Sequence, residues 1–359
     1  MFIRFQPDDI VPNQQETVTR ALFSENAGTL TAFYSSSAES ATQKDYYYEV
    51  FNSASTAATA EAQFSVAFGD RFGSGSASEG GQVDDTPSRA IYAQYRQKCL
   101  EPNSTAFSFN GETANRIYVI NFNRARAKDS LDPSNVEINL RHLSGSEFLA
   151  GGGTNITHTG SNVTVGANDA LRLVSDYGVN DPTLTSAGEV YGLVSGSIED
   201  GVLNSSSPYY YGAIYPRQNV IIINADKLDL SASFGTVTGS DVDGDNAFKI
   251  FTAISASGVM TDASGDYLGM KARSREYVKS THYFVRAKSA QLNFSNNPTF
   301  VTGSDGDLAV STMIGNPTVY ITAIGLYDED KNLLAIAKTS QPIKKFFGNE
   351  ALFEVKIDY

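Results

Sequence analysis

The chain of 359 residues has one cysteine, no tryptophan and three histidines. A lone Cys99 excludes an intrachain disulfide framework and any cluster of thiolate metal ligands. Basic residues are also in short supply, with 27 Lys and Arg against 40 Asp and Glu, for a formal charge of -13. A protein that coats nucleic acid needs a basic footprint, so that class is excluded. No apolar run approaches the ~20 residues of a membrane-spanning helix. Met1-Phe2-Ile3-Arg4-Phe5 is followed at once by polar Pro7-Asp8-Asp9, so no secretory leader is expected. No period recurs, which argues against solenoids and propellers.

What is abundant points to strands. Tyr contributes 19 residues, Phe 21 and Gly 30, whereas charged residues make up only 19% of the chain. Aromatic side chains suit a pleated, half-buried surface, and Gly, Asn, Asp and Ser supply the turns. The predicted fold is mainly β, built of β-sandwich- or β-barrel-like modules with one or two short helices. Strands are expected at Thr17 to Leu22, Thr29 to Tyr34, Tyr46 to Phe51, Ala62 to Phe68, Arg116 to Asn123 and Val136 to Leu140. The series continues at Asp169 to Tyr177, Glu189 to Ser195, Tyr209 to Tyr215 and Asn219 to Asn224. Arg116 to Asn123 is apolar on both faces, the pattern of a strand covered on both sides. Val136-Glu137-Ile138-Asn139-Leu140 alternates, with Val136, Ile138 and Leu140 inward. A helix is predicted near 87–100, where Thr86-Pro87 reads as a start and Ile91, Tyr95 and Cys99 recur every four residues. A second is predicted near 246–257, from the spacing of Phe248, Phe251 and Ile254, with Gly258 as its end.

Residues 1–260 read as an N-terminal β-rich region of one or two subdomains, 261–280 as a polar linker, and 281–359 as a compact C-terminal β module. In that module His282 to Ala287 and Gln291 to Ser295 are expected as strands. Thr318 to Tyr327 and Leu333 to Lys338 are expected to pair as a hairpin across Asp328-Glu329-Asp330-Lys331-Asn332. The closing strand, with Leu352, Val355 and Ile357 buried, needs a sheet partner: this hairpin or a neighbouring subunit.

Catalytic chemistry has little to stand on. His142 lies on the outward face of a strand, His158 in a glycine-flanked loop and His282 at a strand start. No Gly-x-Ser-x-Gly elbow accompanies them, and Gly73-Ser74-Gly75-Ser76 lies in a polar loop. No phosphate-binding loop is present between Gly73 and Gly81. Asp241, Asp243, Asp245 and Asn246 look like an oxygen-rich cation loop. Yet the sixth and twelfth positions of the calcium pattern hold Asn246 and Thr252, not Gly and Glu, and a helix-start cluster of acids explains them as well. Asp305-Gly306-Asp307 reads as a turn. Arg116, Arg124, Arg126 and Lys128 form a basic cluster, either a solvated strand end or a contact for an acidic neighbour. Tyr46 to Tyr48 and Tyr209 to Tyr211 read as core or interface residues, or as platforms for sugars. No catalytic, cofactor or metal site is expected, and no enzyme activity.

Several segments carry a resemblance. They are Tyr283-Phe284-Val285-Arg286-Ala287, Asn297-Pro298-Thr299-Phe300, Asn316 to Tyr327, Leu333 to Lys338 and Glu350 to Tyr359, with Phe64 to Gly69 and Arg89 to Tyr95 nearer the start. They resemble a family of virion structural proteins of contractile-tailed phages, of the kind that infect marine cyanobacteria. The resemblance implies a structural part of the tail, baseplate or neck. It would be assembled in the host cytoplasm and held by β-rich contacts with other virion proteins and with copies of itself, without nucleic acid, membrane or cofactor. It carries over no catalytic residue. A host-glycan-binding fibre is the alternative, although trimeric stalk repeats are missing. A polysaccharide-cleaving tail enzyme would need two converging carboxylates.

Overall fold

The computed structural model describes residues 3–23, 29–36, 47–73, 86–141, 163–164, 170–199, 202–204, 209–231, 245–258, 260–261, 268–293 and 297–358. The chain is mainly β, 51% strand and 18% helix, with a large curled antiparallel half-barrel sheet, smaller sheets and a few short helices. It divides into a sheet unit, Val18–Glu276, and a terminal unit made of Met1–Thr17 with Tyr277–Tyr359. The N-terminal residues thus belong with the C-terminal ones, a grouping that a linear reading of the chain does not offer. Both boundaries fall inside strands, Ile10–Ala21 and Arg273–Ala287.

The half-barrel of the sheet unit runs, in spatial order, through Thr29–Leu30, Met270–Lys271, Glu137–Arg141, Ala170–Ser175, Gly188–Ser195 and Tyr210–Tyr215. It continues through Val220–Asn224, Arg116–Phe122, Ala62–Asp70 and Tyr47–Phe51 to Tyr34–Ser36. Register explains its two-sided burial. Val66, Ile120, Ile221, Ile214 and Tyr191 lie opposite one another across successive strands and join one apolar cluster. Their neighbours Ala67, Val119, Ile222 and Ala213 are aligned in the same way and join a second. Alternation sends successive residues to opposite faces, so a strand apolar at every position must be covered twice.

The two expected helices provide that cover. Asp245–Ser257 contributes Ile250, Phe251 and Ile254 to the first cluster, and Pro87–Cys99 contributes Tyr92, Tyr95 and Cys99 to the second. The buried stripe of Pro87–Cys99 is Ser88, Tyr92, Tyr95 and Cys99, and Ile91 is only half-buried. Tyr92 fixes the helix in place: its hydroxyl donates to Ala114 O at 2.8 Å and accepts from Phe107 N at 3.0 Å. Thr86 holds the cap position, but its hydroxyl donates to Gly73 O at 2.9 Å. Gly258, at the end of the other helix, meets the Thr31 carbonyl so closely that an added Cβ would lie 2.0 Å from its oxygen. Burial holds the Cys99 thiol and the Tyr95 phenol high, each at about 12.

The structure departs from the sequence reading in several places. Thr29 to Tyr34 is broken into Thr29–Leu30 and Tyr34–Ser36, and the first strand begins at Ile10. Two further helices appear, Arg124–Ala127 and Ala225–Ser231. Glu137 and Asn139 are buried although they occupy the polar phase of their strand. Ion pairing explains this: Arg172 Nε and Lys271 Nζ approach the Glu137 carboxylate at 3.4 and 3.7 Å, and Asn139 Nδ2 donates to it at 3.0 Å. Residues 270–271 and 273–280 are strand where a linker was expected. Their polar side chains are occupied by pairs such as Arg273–Asp132 and Arg275–Glu189. Residues 291–293 form no strand.

In the terminal unit, Ala351–Asp358 pairs antiparallel with Ser280–Ala287 over eight residues. Within the chain, the partner of the closing strand is therefore Ser280–Ala287 and not the hairpin. Ala351, Phe353 and Val355 are its buried residues, whereas Leu352 is 60% exposed and Ile357 only half-buried. The hairpin forms as expected and extends further, Val319–Tyr327 with Leu333–Lys345. Its turn is closed by Asp328, which accepts from Asn332 N at 2.7 Å and Asn332 Nδ2 at 2.9 Å. These bonds hold the Asp328 carboxyl below its usual range. Ile321 and Ile324 pack the hairpin on Ala287, Ala351 and Phe353. At its end Lys345 is fully buried with no carboxylate. Its ammonium donates to Ser289 O, Asn293 Oδ1 and Phe346 O at 2.8, 3.2 and 3.2 Å.

Candidate functional site

His142 and His158 lie outside the described residues, as do Asp241, Asp243 and the loop from Ser74 to Gly81. Asn246, the last of the expected cation-loop residues, is buried, and its Oδ1 accepts from Lys249 Nζ at 3.2 Å. Among the described residues, no three His, Cys, Asp or Glu side chains gather in a metal-like group.

His282 is the exception to the scattered picture. Its Nδ1 lies 2.5 Å from Glu354 Oε1 and its Nε2 lies 3.2 Å from Ser280 Oγ. That is the order of contacts in a Ser-His-acid triad. Sequence alone could not find it, because Glu354 reaches His282 only through the register of two strands 72 residues apart. The geometry lacks what acyl transfer needs. Ser280 is 0% exposed and sits within a strand, not on a turn that would present its hydroxyl, and that hydroxyl also meets Gln14 O at 3.3 Å. A sealed nucleophile has no substrate to attack, so the trio serves as a polar clip between strands.

The basic cluster is largely consumed within the chain. Arg116 pairs with Asp226 at 2.9 Å, Lys128 with Glu276 at 2.7 Å, and Arg126 with Glu61. Arg124 instead lines an open cleft of about 540 Å³, with Lys98, Glu49, Ser65 and the amides of Asn121 and Gln218. Partial burial, with Arg124 acting in the same direction, lowers the Lys98 ammonium from its usual range. Glu49 and Ser65 are opposite one another across their strands, with no hydrogen bond between them.

The tyrosine clusters belong mostly to the core. Tyr48 stacks on Phe251 at 5.9 Å and Tyr211 is buried, while Tyr46 lies outside the described residues. Tyr209 alone of its trio is exposed, with Lys227 Nζ 4.4 Å from its ring centroid. One ring already covered by a cation makes a poor sugar platform.

The feature that stands out is apolar exposure. Val301, Val310, Ile314, Tyr320, Tyr327, Leu333, Leu334, Ile336, Ile343, Phe347 and Leu352 are all exposed, and all lie in the terminal unit. Leu334 is 69% exposed and Ile336 59%. Among the described residues, only Ala287, Leu326, Ala351, Phe353 and Val355 represent this unit in the buried hydrophobic set. Its hairpin is a two-stranded sheet, so both strands have a free edge among the described residues. Free edges and contiguous apolar exposure are the features by which strands recruit other chains. Comparison of the chain with protein-family models, with curated proteins and with solved structures gives no match.

Proposed function

We propose that this chain is a structural subunit of a tailed-phage virion, in the tail, baseplate or neck, and that its terminal unit joins it to its neighbours. The single observation carrying the assembly role is the hairpin Val319–Tyr327/Leu333–Lys345, which displays Leu333, Leu334 and Ile336 and has unpaired strand edges. A two-stranded ribbon in water is marginal by itself, so cover from another chain is its natural stabiliser. The particle context rests on the resemblance of Asn316 to Tyr327 and Glu350 to Tyr359 to phage structural proteins. The sealed Ser280 agrees with a non-enzymatic part.

The test is quantitative mass spectrometry of purified particles, with the variant Leu334→Asp/Ile336→Asp supplied in place of the parent chain. Both positions are exposed, so the variant should fold, give an unchanged circular dichroism spectrum and be missing from particles. Absence of the parent chain from particles, or normal incorporation of the variant, would refute the proposal.

A further inference from the structure

We infer that the subunit associates head to tail with copies of itself: the strand Leu333–Lys345 of one copy adds to the closing strand Ala351–Asp358 of the next. The inference rests on the assembly reading above and names its contact. Two different free edges on one unit carry it. Among the described residues, Leu333–Lys345 pairs only with Val319–Tyr327, and Ala351–Asp358 is the last strand of its own sheet. The ladder of the first edge shifts register beside Leu334 and again between Lys338 and Ile343, where Pro342 has no N–H to offer, so regular strand addition there is confined to Ala335–Lys338, opposite part of the second.

Beyond the acidic turn Asp328-Glu329-Asp330, the first edge is basic, whereas the second is mainly acidic. Residues 331–349 contain Lys331, Lys338, Lys344 and Lys345 and no acidic residue. Lys345 is buried and bound; Lys331, Lys338 and Lys344 have no acidic partner among the described residues. The closing segment carries Glu350, Glu354 and Asp358 against the single Lys356. Glu354 meets His282, and Lys356 is shared between Glu16 and Asp358, whereas Glu350 has no cation. Apolar exposure is matched as well, with Leu334 and Ile336 on one edge and Leu352 on the other.

The same lysines select against the simpler alternative, two-fold pairing of the first edge with itself. Edge lysines are a known guard against such self-pairing, and here they leave an acidic edge as the favoured occupant. A contact between two unlike edges is heterologous, so it propagates into a ring or an open filament and does not stop at a dimer.

Sedimentation velocity on the full chain tests this, at low and high salt. Association should grow with concentration and weaken with salt, because the charges that steer it are exposed. Two folded variants, Lys338→Glu/Lys344→Glu and Glu350→Lys/Asp358→Lys, should each lose association by at least about tenfold, since like charges then face each other. Mixing the two restores opposite charge at every junction and should restore association. A parent chain that stays monomeric throughout the micromolar range overturns the inference, as does a mixture that stays apart. Undiminished association of Glu350→Lys/Asp358→Lys alone would show the hairpin pairing with itself. A monomeric chain that is nevertheless found in particles would defeat this contact and leave the structural role standing.

Discussion

The sheet unit buries most of its large apolar residues, with Phe72, Val179 and Leu184 among the exposed exceptions, whereas the terminal unit leaves most of its own exposed or half-buried. In the sheet unit, Ile120, Ile221 and Ile222 are fully buried between strands and helices, and the half-barrel is covered on both faces. In the terminal unit, Leu334, Ile336 and Leu352 face solvent, and the buried cluster is confined to Ala287, Ala351 and Phe353 with a few half-buried neighbours. Hydrophobicity alone therefore does not tell core from contact. A residue stabilises the monomer only if its own chain supplies the cover, and otherwise its burial waits for another chain.

A matched pair of truncations puts this contrast under the greatest strain. Ile120→Ala should cost about 2–5 kcal/mol of stability in denaturant unfolding. Ile336→Ala should stay within ~0.5 kcal/mol and act on association instead. Equal stability losses would mean that the hairpin is covered within the monomer.

A smaller, local effect is expected from Lys345→Met, which leaves the buried oxygens of Ser289, Asn293 and Phe346 without their donor. Local opening lets water reach these oxygens, so the net cost should be about 1–3 kcal/mol, taken by the terminal unit opening locally. Hydrogen exchange should rise around residues 289–293 and 345–349 and stay low in the half-barrel. A uniform rise across both units would show that they unfold as one.

The mildest contrast at ordinary pH is titration. Burial raises Tyr95 from 10.0 and Cys99 from 9.0, each to about 12. A proton held more tightly in the folded state gives stability that is complete below the unfolded value and lost as pH rises toward the folded one. The sheet unit should lose stability between about pH 9 and 12, with Cys99 becoming reactive to alkylation as it opens. Rapid modification of Cys99 at pH 8 in folded protein would contradict this.

Much of the sheet unit was legible from local signals. Thr86-Pro87 and the recurrence of Phe248, Phe251 and Ile254 mark its two main helices, and the two-faced apolarity of Ile117 to Phe122 marks a doubly covered strand. Legibility failed where partners are distant. Arg273 and Arg275 look like linker residues until Asp132 and Glu189 are brought beside them, and buried Glu137 depends on Arg172 and Lys271 in the same way. The terminal strand was recognised, but its partner was not, because pairing to Ser280–Ala287 is a matter of register and not of composition. The contact of His282 with Glu354 follows from that register and was hidden with it.

The N-terminal strand sets an order on biosynthesis. Ile10–Ala21 leaves the ribosome before the strands of the half-barrel, yet its sheet partner Arg273–Ala287 begins about 250 residues later. At ~5–20 residues per second the early segment waits roughly 12–50 s, while the strands of the half-barrel find one another. The terminal unit is therefore completed after the half-barrel. A nascent chain does not present a finished assembly surface before its other unit has had time to fold.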